Sequence, residues 1–219
     1  MSGRTIWIAR HGNREDFVDP GWVKRADRPF DPGLSPDGQE QARQLADRLA
    51  GENISRIYSS PYLRTVETAH AVAERLGLPV YLEPGFGEWL NPTYFPAAPQ
   101  LLSVETLRRR FPRVSNEHEA VEHPVYPESE RDVAARSARV SDRLIERTGD
   151  ESILLVGHGA TVTFSIRYLA PNAEPFSARL CSITKIVING RRRELALRGD
   201  ISHLTRSEEA VRWNLRPWP

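Results

Sequence analysis

The sequence holds one cysteine, Cys181, one methionine and only two lysines, Lys24 and Lys185, among its 219 residues. One cysteine cannot close an intrachain disulfide, and without a CxxC pair or a Cys/His cluster the chain offers no structural zinc site. No window approaches 18 consecutive apolar residues, which excludes a membrane-spanning helix. The apolar run near the start, Ile6 to Ala9, is too short for the hydrophobic region of a signal peptide. These absences point to a reducing compartment, and the cytoplasm is the expected location. An excess of one charge is missing too: 30 Lys plus Arg face 29 Asp plus Glu, a formal net of +1. Neither nucleic acid nor membrane is therefore expected as a partner. Attraction for an anion has to be local, and it falls to arginine, whose planar fork grips phosphate or carboxylate. What the chain does have is 39% hydrophobic and 27% charged residues with no evident linker, the composition of one globular domain over residues 1–219.

Short β-branched or aromatic runs alternate with stretches whose apolar residues fall three and four apart, the pattern of an α/β fold with a mainly parallel sheet and helices on both faces. Thr5 to Ala9 reads as a buried strand leading into Arg10-His11-Gly12. Ser35 and Pro36 cap and open a helix with Ala42, Leu45, Ala46 and Leu49 on one stripe. Ile54 to Tyr58 is a second strand, Ser60-Pro61 repeats the cap-and-proline start, and Leu63, Val66, Ala69, Ala73 and Leu76 line the next helix. Leu78 to Leu82 is a weaker third strand. After a proline-rich stretch with one helix at Val104 to Phe111, periodicity returns. A helix at Glu130 to Arg147, a strand at Ser152 to Val156 and a helix after Gly159 follow. Cys181 to Ile188 and Glu194 to Leu197 then form a hairpin around Asn189-Gly190.

Arg10-His11-Gly12 and Gly157-His158-Gly159 both follow strands, and in a doubly wound sheet both emerge at strand carboxyl ends, where ligands bind. Taken singly, each histidine also reads as a polar turn residue. Arg64, one turn inside the helix expected to begin at Ser60-Pro61, lies where free N–H groups and the helix dipole favour an anion, although alone it also reads as a surface arginine. Together these elements would make a phosphate cradle. The constellation, with Leu34-Ser35-Pro36-Asp37-Gly38, Gln41-Ala42, Tyr58-Ser59-Ser60-Pro61, Thr65 and Thr68-Ala69, resembles the histidine phosphatase superfamily, the phosphoglycerate mutase-like group, over most of the chain.

That resemblance implies that His11 becomes phosphohistidine, that Arg10 and Arg64 bind phosphoryl oxygens and that His158 completes the pocket. Glu88 matches the usual place of the proton donor, with Glu83 as runner-up. The stretch Glu83-Pro84-Gly85-Phe86-Gly87-Glu88-Trp89 departs from the Glu-Arg-x-Tyr-Gly of cofactor-dependent phosphoglycerate mutases. With Arg14 after Gly12, it looks more like the phosphatase domains of the suppressor-of-T-cell-signalling and ecdysteroid-phosphate phosphatase type. There the arginine matching Arg14 also contacts phosphate; those relatives usually carry Glu where this chain has Asn13. The expected activity is metal-independent hydrolysis of a phosphomonoester, small molecule or phosphoprotein, with no cofactor. The alternatives are a phosphoglycerate mutase and a catalytically silent binder of a phosphorylated ligand.

Other candidates read as structural. His118 and His123 are five apart rather than four, and Pro124 follows, so a solvated loop is expected there rather than a metal site. His70, His203 and Cys181 read as structural or core residues, and Gly157-His158-Gly159 lacks the x-x-Gly continuation of a dinucleotide fingerprint. Segments 13–33 and 89–128, rich in aromatics and prolines, are expected to act as lids at the pocket mouth. A homodimer stays open.

Overall fold

A computed structural model of the chain describes residues 3–174 and 176–206. In chain order the elements are β1 (Arg4–Arg10), α1 (Glu15–Val18), α2 (Trp22–Arg25), α3 (Pro36–Leu49), β2 (Arg56–Ser59), α4 (Leu63–Leu76) and β3 (Val80–Leu82). A 3₁₀ turn at Pro84–Phe86 precedes α5 (Val104–Arg110), β4 (Val114–Ser115), α6 (Glu130–Arg147), β5 (Ile153–Gly157), α7 (Gly159–Leu169), β6 (Ile183–Asn189) and β7 (Arg192–Asp200). The strands form one sheet in the order β4-β3-β2-β5-β1-β6-β7. The five from β4 to β1 run parallel, and β6 and β7 continue the sheet antiparallel.

The period of two along β1 and β5 decides which residue faces which helix layer. Trp7 and Ala9 of β1 and Leu154 and Val156 of β5 pack with Leu45 and Leu49 of α3 and Val66, Ala69 and Ala73 of α4. Ile6, Ile8, Ile153 and Leu155 face the other way, against Val140 and Leu144 of α6 and Val162 and Ile166 of α7. Both faces of the sheet are thus covered, which is why the central strands read as continuous apolar runs. Among the described residues no helix is long and apolar enough to cross a membrane.

Three local expectations are revised. The helix after β2 starts at Leu63 rather than at Ser60-Pro61, and Tyr62, at its N-cap, makes no side-chain cap. Its first free N–H, on Leu63, is met instead by the carboxylate of Asp31, 2.8 Å away, from segment 13–33. Cys181 precedes β6 rather than belonging to it and holds φ at +54°, a left-handed turn that an L-residue adopts only where tertiary contacts enforce it. Its N–H donates to the His11 carbonyl at 3.0 Å. The strand pair β3–β4 has no counterpart in the sequence pattern, because Val114–Ser115 is too short to show alternation. α6 and the Ser35 cap of α3, which accepts from the Gly38 N–H, lie where periodicity places them.

Candidate active site

Adjacent strands β1 and β5 end side by side, Arg10 opposite Gly157, so the residues that follow them, His11 and His158, meet. Their ring centroids are 5.4 Å apart and both side chains are buried. The His11 backbone is tied on both sides, its N–H to the Gly157 carbonyl and its carbonyl to the Cys181 N–H, each at 3.0 Å. The next residues press against the start of α3: a Cβ at Gly38 would stand 2.0 Å from the Asn13 carbonyl oxygen, so only glycine allows that approach. The Asn13 N–H donates to Gln41 Oε1 at 2.8 Å, and the Gly12 N–H to Thr68 Oγ1 at 3.1 Å. The loop that carries His11 is therefore locked to α3, α4, β5 and the turn before β6.

Hydrogen bonding fixes the tautomer of the His11 ring. A carbonyl can only accept, so His11 Nδ1, 2.7 Å from the Gly12 oxygen, carries the proton and Nε2 carries a lone pair. That Nε2 is buried without a hydrogen-bond partner among the described residues. Burial, with Arg64, Arg10, His158 and Arg14 nearby, holds the His11 imidazole well below its usual pKa and hence neutral near pH 7. His158 Nδ1 lies 3.1 Å from Arg64 Nη2, and its Nε2 lies 2.8 Å from Ser60 Oγ. Burial brings His158 down to about 4.

Arg64 is 1% exposed, and its Nε and Nη1 have no partner among the described residues, two buried donor atoms left for an anion. Its Nη2 lies 3.4 Å from Glu88 Oε2, which is also 3.3 Å from His158 Nδ1. Burial alone would raise the Glu88 carboxyl, but His158 and Arg64 outweigh it and hold the group well below the usual carboxylate range. Arg10 donates to the Ala178 carbonyl at 2.8 Å, and its guanidinium lies against Gly159 at the start of α7, where a Cβ would stand 3.6 Å from Cζ.

Arg14 joins the group electrostatically, lowering His11, His158 and Arg64, yet its Nε and Nη2 are engaged by Asp16 at 2.8 and 2.5 Å. Glu83 does not face these residues as an acid would. Fully buried, it accepts from the N–H groups of Gly85 and Val121 and pairs with His118 Nε2, each at 2.8 Å. His118 is accordingly no solvated loop residue: its side chain is 9% exposed and packs on Tyr58. Among the described residues no three His, Cys, Asp or Glu side chains gather as metal ligands would. Segments 13–33 and 89–128 meet through Phe30 and Phe95, whose rings stand edge to face at 5.5 Å.

Sequence reasoning missed Ser60, which reads as a helix cap yet bonds His158, and Arg136, which reads as a polar position on α6.

A phosphoserine phosphatase 1 from Hydrogenobacter thermophilus is 30% identical over 173 residues, 74% of this chain and 74% of that protein. The transcription factor tau 55 kDa subunit of Saccharomyces cerevisiae is 34% identical over 176 residues; the match covers 74% of this chain and 40% of the subunit, so the chain spans less than half of that relative. The crystal structure of the ecdysone phosphate phosphatase from Bombix mori in complex with tungstate superposes with a TM-score of 0.74. It covers 90% of this chain and 93% of that one at 20% identity, and so speaks for the fold. Residues 6–201 match the family model of the histidine phosphatase superfamily (branch 1), and the chain, with two histidines at adjoining strand ends and a buried arginine between them, belongs to that superfamily.

Proposed function

We propose that the chain hydrolyses phosphomonoesters, without a metal ion, through a phosphohistidine on His11. One observation carries this reading above the others: among the described residues, the His11 Nε2 lone pair and the Arg64 Nε and Nη1 donors are buried without hydrogen-bond partners, on side chains that both meet His158. In the first step Nε2 attacks phosphorus as the bond to the leaving oxygen breaks, and Glu88 delivers a proton to that oxygen. Arg10 and Arg64 neutralise the equatorial oxygens, His158 completes the pocket around them, and Arg14 adds its field. In the second step the Glu88 carboxylate takes a proton from water, whose oxygen attacks phosphorus and releases His11 and inorganic phosphate.

Glu88 needs its proton before the first step, and His158 and Arg64 hold the carboxyl ionised. A bound phosphate dianion draws Arg64 to itself and adds negative charge beside the carboxyl, which raises its pKa and loads it for transfer. The relatives named as phosphatases support hydrolysis over mutase chemistry. The substrate is a phosphomonoester on a small molecule or a protein.

The test is steady-state phosphate release over a panel of alkyl and aryl phosphates, after exhaustive chelation, for wild type and His11→Ala. Wild type should turn over with chelator present, and His11→Ala should fall by at least about a thousandfold at unchanged thermal stability. Near-normal hydrolysis by His11→Ala rejects the covalent route; activity lost to chelator and restored by one divalent ion rejects metal independence.

A further inference from the structure

The loop that carries Glu88 contains no strand or helix beyond its 3₁₀ turn, and its carbonyls converge on one side chain from another part of the fold. Arg136, on α6, is 1% exposed. Its Nη1 donates to the Gly85 and Gly87 carbonyls at 2.8 and 3.1 Å, and its Nη2 to the carbonyl of Glu88 itself at 3.1 Å. The same guanidinium forks onto Glu128 through Nε and Nη2, both at 2.7 Å. Glu128 closes the far end of the loop: its Oε2 accepts from the Leu90 N–H at 3.0 Å and its backbone N–H donates to the Leu90 carbonyl at 3.0 Å. The Trp89 indole N–H donates to the Glu128 carbonyl at 3.0 Å.

We infer that Arg136, locked by Glu128, is the positioning residue that aims the Glu88 carboxyl at the leaving oxygen. The inference rests on the proposed role of Glu88. A buried ion pair is weak evidence for stability, because desolvation of the two charges offsets much of their attraction. It is better evidence for specification: five donor contacts from one planar group fix the loop along its length, and lysine, with three donors on a single nitrogen, cannot span them. Arg136 touches neither His11, His158 nor Arg64 through any of those contacts, so removing it should leave phosphate binding intact while the proton donor loses its aim. Transfer to an aryl phosphate, whose phenolate departs without help, tolerates that loss; transfer to an alkyl phosphate does not.

The experiment is single-turnover phosphoryl transfer from an alkyl and an aryl phosphate to wild type, Glu88→Gln, Arg136→Lys and Glu128→Gln, with the inhibition constant of inorganic phosphate and thermal unfolding measured alongside. Arg136→Lys should slow the alkyl step by about tenfold or more beyond its effect on the aryl step, with phosphate inhibition within about twofold of wild type. Glu128→Gln, which keeps an acceptor for Leu90 but loses the charge and the acceptor facing Arg136 Nε, should show the same split in weaker form and carries the test if Arg136→Lys does not fold. Equal slowing of both esters in a folded Arg136→Lys, or no slowing, overturns the positioning role while a split in Glu88→Gln leaves the acid assignment standing. Hydrolysis by wild type with no split in Glu88→Gln overturns the acid assignment and the positioning role with it.

Discussion

The wall of the pocket that carries His11, Arg10 and His158 is made where two adjacent strands end, while the wall that carries Glu88 is a loop pinned by a helix 48 residues further along the chain. On the first wall each of these side chains sits within one or two residues of a strand or helix, and backbone hydrogen bonds of the sheet fix it. On the second, side chains do that work: Glu83 ties the start of the loop to Val121 and His118, and Arg136 with Glu128 ties its middle and end. The comparison teaches that the proposed reaction uses two kinds of placement. Groups assigned to the phosphoryl unit, the same in every substrate, stand on rigid elements, whereas the group assigned to the variable leaving group stands on a loop set by long-range contacts.

The strongest way to break this division is Arg64→Ala. Loss of a buried donor pair aimed at the phosphoryl oxygens should cost about 3–4 kcal/mol of transition-state stabilisation, with alkyl and aryl esters slowed alike. Phosphate inhibition should weaken in parallel. A variant that slowed only alkyl esters would move Arg64 to the leaving-group side. Glu88→Gln is the converse: single-turnover transfer from an alkyl phosphate should fall by about a hundredfold or more, with a much smaller fall for an aryl phosphate. Equal factors for both esters would make Glu88 part of the phosphate wall and erase the distinction.

The sequence pattern reveals the first wall and hides much of the second, for a physical reason. Arg10, His11 and His158 are legible because a strand, a glycine and a reactive side chain lie within a few residues, and the 3.6 and 2.0 periods place the strand and helix starts. Glu88 is legible only by likeness, since no local pattern makes it an acid; Glu83, five residues earlier, looks as suitable until its partners Val121 and His118 are seen. Arg136 lies beside the apolar stripe of α6, where a buried arginine cannot be told from a solvated one until the loop carbonyls are in place. Asp31 and Ser60 exchange the roles that local rules assign: the serine before the proline serves His158, and a distant aspartate meets the helix N–H.

A smaller effect tests the strap joining Leu34, just after segment 13–33, to α4, outside both walls. Burial lifts Glu67, which accepts from the Leu34 N–H at 2.6 Å, from 4.5 to about 7. Between those values the folded chain holds more protons than the unfolded one, so stability should decline as pH rises through the window. Glu67→Gln keeps an acceptor for Leu34 and has no charge to bury. It should flatten that decline, gaining about 3 kcal/mol or less at pH 8. Urea unfolding of both proteins at pH 5 and pH 8 measures the difference, and parallel losses would place the titration elsewhere.

The most direct measurement is rapid acid-free quenching of wild type with a radiolabelled phosphomonoester, followed by peptide mapping of the trapped label. The account predicts label that is stable to alkali and lost in acid, on the peptide containing His11, formed fast enough to be an intermediate and absent from His11→Ala. Turnover by wild type with no such label, or the same label on His11→Ala, would contradict it.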